Sequence, residues 1–179
     1  MEASKSVTGR ARAASTDEVT AAIRASLAES WLPRLYVERI LPLRTRAHNL
    51  PSISVARGGA QVEIQHTLLG VELKVGRRRL SCPDLATARY LAVFARAGCT
   101  NVAVPYDITK ISPLADELES AWQRMLLLVE HEAEDRSSAF RSRVLRTLVG
   151  EIRQEIAEAG AGTQVPQFNQ NTKQRRQSV

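Results

Sequence analysis

Apolar and polar positions alternate most cleanly between residues 62 and 75. Val62 and Ile64 fall on one side of an extended chain, Glu63 and Gln65 on the other. After Leu68-Leu69-Gly70 the alternation resumes, with Val71, Leu73 and Val75 on the first side and Glu72 and Lys74 on the second. A period of two marks half-buried strands. A two- or four-residue loop preserves the parity of both arms and pairs Ile64 with Leu73, Gln65 with Glu72 and Glu63 with Lys74. Ahead of this hairpin, Ile53 and Val55 alternate within 52–56 as on a further strand, closed by the turn Gly58-Gly59. Behind it, Gly76 turns or bulges the chain and Leu80 re-enters the core.

Helical spacing governs most of the remainder. Ser15 and Glu18 have capping-box spacing, and Val19, Ile23, Leu27 and Trp31 then recur every four residues until Pro33 ends the helix. Residues 34–43 fit a strand through Leu35, Val37 and Leu41, or a helical turn through Leu32, Leu35, Arg39 and Leu43, and both readings stand. A helix opens at Pro83 with the stripe Leu85, Ala88, Leu91, Ala92 and Ala95, and Gly98 stops it. Asn101–Pro105, with Val102 and Val104, is a short buried strand. Ser112-Pro113 starts the next helix, carrying Leu114, Leu118, Ala121, Met125 and Leu128. Ser137-Ser138 divides it from a last one, with Phe140, Val144, Leu148, Ile152 and Ile156. The class is α/β (α+β): a central mixed β-sheet, an N-terminal helix, a helix crossing before the last strand, and a C-terminal pair of helices.

Composition adds the boundaries. The 179 residues are 44% apolar and 25% charged, enough for one ordinary domain, and aromatics at 4% leave an aliphatic, alanine-rich core. The expected division is a disordered basic tail over 1–14, one domain over 15–160 whose helical pair occupies 112–160, and a second disordered basic tail over 161–179. The Arg/Ser/Ala-rich start, with Lys5, Arg10 and Arg12, has some organelle-transit character, but a tail is the simpler reading. Cys82 and Cys99 flank a helix whose ends lie roughly 20 Å apart, beyond disulfide reach. Free thiols and the lack of any long apolar run point to a cytoplasmic protein with no membrane segment.

The net charge of +6 is unevenly placed. Residues 31–111 hold twelve Lys/Arg against five Asp/Glu, whereas 112–160 hold six against ten. Either the acidic helices cover the basic part within one molecule, or the basic part presents an anion-binding face. The histidines are isolated, no Cys/His spacing suggests zinc, and no serine or cysteine stands in a triad-like arrangement.

The one constellation with chemical spacing is Glu63, Glu72 and Lys74 on a single hairpin face, followed by Arg77, Arg78 and Arg79. Helix, β-meander bearing Glu-x-Lys, helix and strand, with Gly70-Val71-Glu72-Leu73-Lys74-Val75 as the signature half, resembles the core of the PD-(D/E)XK nuclease superfamily. The resemblance covers residues 15–107. It implies Mg²⁺ held by Glu63 and Glu72, Lys74 as the catalytic lysine, a helix-1 acid such as Glu18 or Glu29 as an extra ligand, and nucleic acid as partner. Arg57, Arg77, Arg78 and Arg79 would bind phosphates, with Arg44 and Arg46 as further candidates. The chain departs from the pattern. No Pro-Asp precedes the motif, Glu63 stands where aspartate is usual, and no aspartate lies between Asp17 and Asp84. A solvated cross-strand pair explains Glu63 and Lys74 equally well. The alternative is a non-catalytic interaction or regulatory protein whose helical hairpin over residues 113–158 forms a homodimer or docks a partner, since Leu126-Leu127-Leu128-Val129 exceeds what one helix face can hide.

Overall fold

The computed structural model describes residues 13–53 and 61–162. The expected strand over 52–56 and both proposed tails fall largely outside these residues. Helix α1 (Thr16–Leu27) begins in the expected capping box: Ser15 Oγ accepts from Glu18 N–H at 3.2 Å, and Ser15 N–H donates to Glu18 Oε2 at 2.7 Å. Val19, Ile23, Leu27 and Trp31 are all buried. Pro33 does not terminate that helix. It occupies the first turn of the next one, α2 (Leu32–Leu35), where a missing N–H costs nothing. The helix continues through a π-helical turn, Tyr36–Ile40, so the ambiguous stretch is helical as far as Ile40 and a turn over 41–43.

Five strands follow in two antiparallel sheets among the described residues, where one central mixed sheet was expected. β1 (Thr45–Asn49) pairs with β5 (Asn101–Pro105), and β2 (Val62–Thr67), β3 (Gly70–Val75) and β4 (Arg78–Cys82) form a meander. The hairpin register is the expected one: Glu63 faces Lys74, Ile64 faces Leu73 and Gln65 faces Glu72. Leu73 and Val75 are buried on the inner face, and the turn residues Leu68 and Leu69 are fully exposed. Gly76 turns the chain between β3 and β4 at φ +60°, a conformation that strains any residue with a Cβ.

Helix α3 (Leu85–Arg96) opens two residues after Pro83, with Asp84 as its cap: the carboxylate accepts from Thr87 N–H at 2.7 Å. The helix lies between the meander and α4, so Ala88 and residues Tyr90 to Ala95 are buried nearly all round. Helix α4 (Ile108–Glu132) starts a turn earlier than expected because Asp107 caps it, and Pro113 sits inside it. Helix α5 (Ser138–Ala159) is capped by Ser137. Both α4 and α5 pack against α1, which makes the C-terminal pair part of the core.

Arginines bind these layers together. Arg89 on α3 reaches Glu119 Oε1 and Oε2 at 3.1 and 2.6 Å and Asp116 Oδ1 at 2.6 Å on α4. These bonds push its pKa further up. Arg24 joins Glu151 and Glu155 on α5, and Arg39 joins Glu117.

At the centre, Tyr36, Tyr90 and Phe94 pack with ring centroids 5.2–5.6 Å apart. The two phenols complete the free edge of β5. Ala103 N–H donates to Tyr36 Oη at 2.9 Å, and Tyr90 donates to Ala103 O at 2.6 Å. Tyr36 Oη–H in turn donates to Gly160 O at 2.6 Å, so one hydroxyl joins the middle of β5 to the end of α5. Two side chains thus take the place of a third strand. Burial raises the pKa of both phenols.

Candidate functional site

The outer face of the meander carries the residues singled out by the sequence. Residues opposite each other on antiparallel strands share a face, so Glu63, Lys74 and Arg79 form one row, and Gln65, Glu72 and Ser81 form the next. Within the first row Lys74 Nζ stands 3.4 Å from Glu63 Oε2, and Gln65 Nε2 donates to that same oxygen at 3.4 Å. Glu72 turns elsewhere. Its Oε2 lies 3.7 Å from Arg79 Nη1, beyond hydrogen-bond distance, and has no other polar partner among the described residues although it is buried.

Lys74 and Glu63 open onto a hollow of about 350 Å³ lined among the described residues by Gln61, Glu63, Lys74, Gly76 and Arg77. A second hollow, of about 600 Å³, shares Gln61, Gly76 and Arg77 with it and adds Arg78, Thr100 and the segment Leu50–Ile53. Gly76 N–H donates to Gln61 O at 2.7 Å and ties the β3–β4 turn to the start of β2 between the two. The structure therefore brings Glu63, Lys74, Arg77 and Arg78 to one end of the meander. It leaves Glu72 and Arg79 on the sheet face, paired with each other. Arg57 lies outside the described residues.

The donor set does not suit a divalent ion. Mg²⁺ is held by converging oxygen ligands, usually with two carboxylates among the protein groups. Here each acid is drawn to its own cation, and among the described residues no group of three or more His, Cys, Asp or Glu side chains is placed to hold a metal. Charge instead favours an anion: in the two hollows Lys74, Arg77 and Arg78 outnumber the single carboxylate of Glu63.

The acidic helices do not cover these cations. Their carboxylates take Arg24, Arg39, Arg89 and Arg141, while Arg77 and Arg78 have no carboxylate partner among the described residues. The helical pair shows little surplus apolar surface. Of the run Leu126–Val129, Val129 is buried, Leu126 and Leu128 are partly covered, and Leu127 is 69% exposed. Both cysteines are free and buried, and no described helix is long and apolar enough to cross a membrane.

The sequence missed β1 as a strand, and with it the role of residues 50–53 as a wall of the larger hollow. Thr45–Asn49 is mostly exposed and shows no apolar alternation that could have announced it. No family model, no curated protein and no solved structure matches this chain.

Proposed function

We propose that the protein binds the phosphate backbone of nucleic acid at the end of its meander, without needing a metal ion to do so. The observation that carries this is the pair of adjoining hollows where Lys74, Arg77 and Arg78 gather with one carboxylate and, among the described residues, no covering acid. Arginine forks and a lysine point charge are the groups that recognise phosphate oxygens. Glu63 holds the Lys74 ammonium in place and competes with an incoming phosphate for it.

Fluorescence anisotropy with a labelled oligonucleotide tests this. Changing Arg77 and Arg78 together to glutamate should weaken binding at least about tenfold and flatten its salt dependence, because each lost phosphate contact removes about 0.7–0.9 from the log–log slope. Glu63→Gln should tighten binding by roughly two- to fivefold, since it removes the competing charge. Unchanged affinity in the double arginine variant would overturn the reading. The nuclease resemblance gives the opposite forecast for Glu63→Gln: Mg²⁺-dependent cleavage present in the parent and abolished in the variant. Incubating the same oligonucleotide with Mg²⁺ separates the two.

A further inference from the structure

The larger hollow does not end at Arg77 and Arg78. Its wall, Leu50–Ile53, is the direct continuation of β1, and that strand bears a second basic surface. Arg44 O accepts from Tyr106 N–H at 3.0 Å, which carries the β1–β5 ladder one pair beyond the strands. Arg46 faces Val104 and His48 faces Val102. Tyr106, Arg44, Arg46 and His48 therefore share one side of the ribbon; its β5 half, Val102 and Val104, is buried, and Arg44 and Arg46 reach solvent along the β1 edge, with same-side β1 residues about 6.6 Å apart. Arg44 and Arg46 have no carboxylate partner among the described residues. The nearest acid in sequence, Asp107, is engaged by the backbone N–H and hydroxyl of Thr109, which lower its pKa. At the far end the Arg44 guanidinium lies 5.1 Å from the centre of the Tyr106 ring, and Tyr106 is still 46% exposed.

We infer that single-stranded nucleic acid is the ligand, and that its backbone runs from the hollow along β1 over Arg46 and Arg44 to Tyr106, where an unpaired base stacks. The inference rests on the phosphate-binding reading of the hollow and adds the substrate class and its path. A row of unpaired cations along an exposed strand complements a polyanion. A half-exposed aromatic ring backed by a guanidinium offers a stacking surface that only an unpaired base can use. The same patch, with Ile108 71% exposed beside it, also faces the alternative of an anionic membrane surface.

The test measures anisotropy of the full chain with a short oligothymidylate, a duplex of equal length and an abasic strand of equal length, together with sedimentation against anionic phospholipid vesicles. The oligothymidylate should bind about tenfold more tightly than either of the other strands. Tyr106→Ala should bring it down to the abasic level without changing abasic binding, and Tyr106→Phe, which keeps a ring, should restore the difference. Arg46→Glu should weaken all three probes. Equal affinity for the three probes, or a Tyr106→Ala variant that behaves as the parent, overturns the β1 track. Binding to vesicles but to no oligonucleotide overturns it too. If the probes differ as expected while glutamates at 77 and 78 have no effect, it is the hollow's role that fails.

Discussion

At the scale of single residues, Tyr36 carries the heaviest load. Its hydroxyl accepts from a buried backbone N–H and donates to a part-buried carbonyl, whereas Tyr90 serves only one backbone group. Tyr36→Phe leaves both Ala103 N–H and Gly160 O without that partner, at roughly 1–3 kcal/mol for the buried N–H and less for the part-buried carbonyl. Urea denaturation should show it more destabilised than Tyr90→Phe. The buried titrating groups set a second expectation. Burial pushes the Cys99 thiol from 9.0 up to about 12, and raises Tyr36 and Tyr90 above 10.0. In each case the folded pKa exceeds the unfolded one, so the stabilisation is complete below the unfolded value and is lost as pH rises through the folded one. The urea midpoint should therefore hold steady through neutrality and fall from about pH 9 upward, and Cys99→Ala should lessen the first part of that decline, the remainder belonging to Cys82, whose thiol burial also raises. None of this was legible in the sequence. A tyrosine in an apolar stripe does not reveal which backbone groups its hydroxyl will meet 67 and 124 positions away.

At the scale of elements, legibility followed periodicity. The β2–β3 hairpin was readable down to its register, because slipping one residue would turn Leu73 and Val75 outward and Glu72 and Lys74 into the core. The stripes of α1, α3 and α5 were equally clear. The element starts were less so, since caps at Asp84 and Asp107 won over the prolines that follow or precede them. The split into two sheets was invisible because, on the edge away from β1, β5 meets tyrosine hydroxyls at Ala103 rather than a meander strand. Between elements, the α3–α4 junction depends on Arg89, whose forked grip on Glu119 a lysine cannot reproduce. Arg89→Lys should cost about 1–2 kcal/mol, allowing for partial screening at this half-buried site. Thermal denaturation would register the loss, and Arg39→Lys, at a more exposed pair, should change little by comparison.

At the scale of the whole molecule, the uneven charge noted in the sequence resolves into two populations. One set of arginines is spent internally, joining α1, the α2 segment and α3 to the acidic helices. The other set, on the meander turn and along β1, remains unmatched among the described residues, and the functional proposal stands on it. The sequence showed both totals but could not say which cations the helices would absorb. The Glu63–Glu72–Lys74 cluster was legible as a face but not in its pairings, because parity puts side chains on one side of a sheet without saying which neighbours they choose.

One oxygen atom has a further bearing on how this chain reaches its final form. The Tyr36 hydroxyl waits for a donor in the middle of the chain and an acceptor just past the last helix. On a ribosome, the stretch through β5 would emerge well before Gly160 does. Until that glycine arrives, the phenol lacks the acceptor it uses in the finished fold. The nascent chain can therefore gather its layers early but can close this latch only once residue 160 is clear of the ribosome.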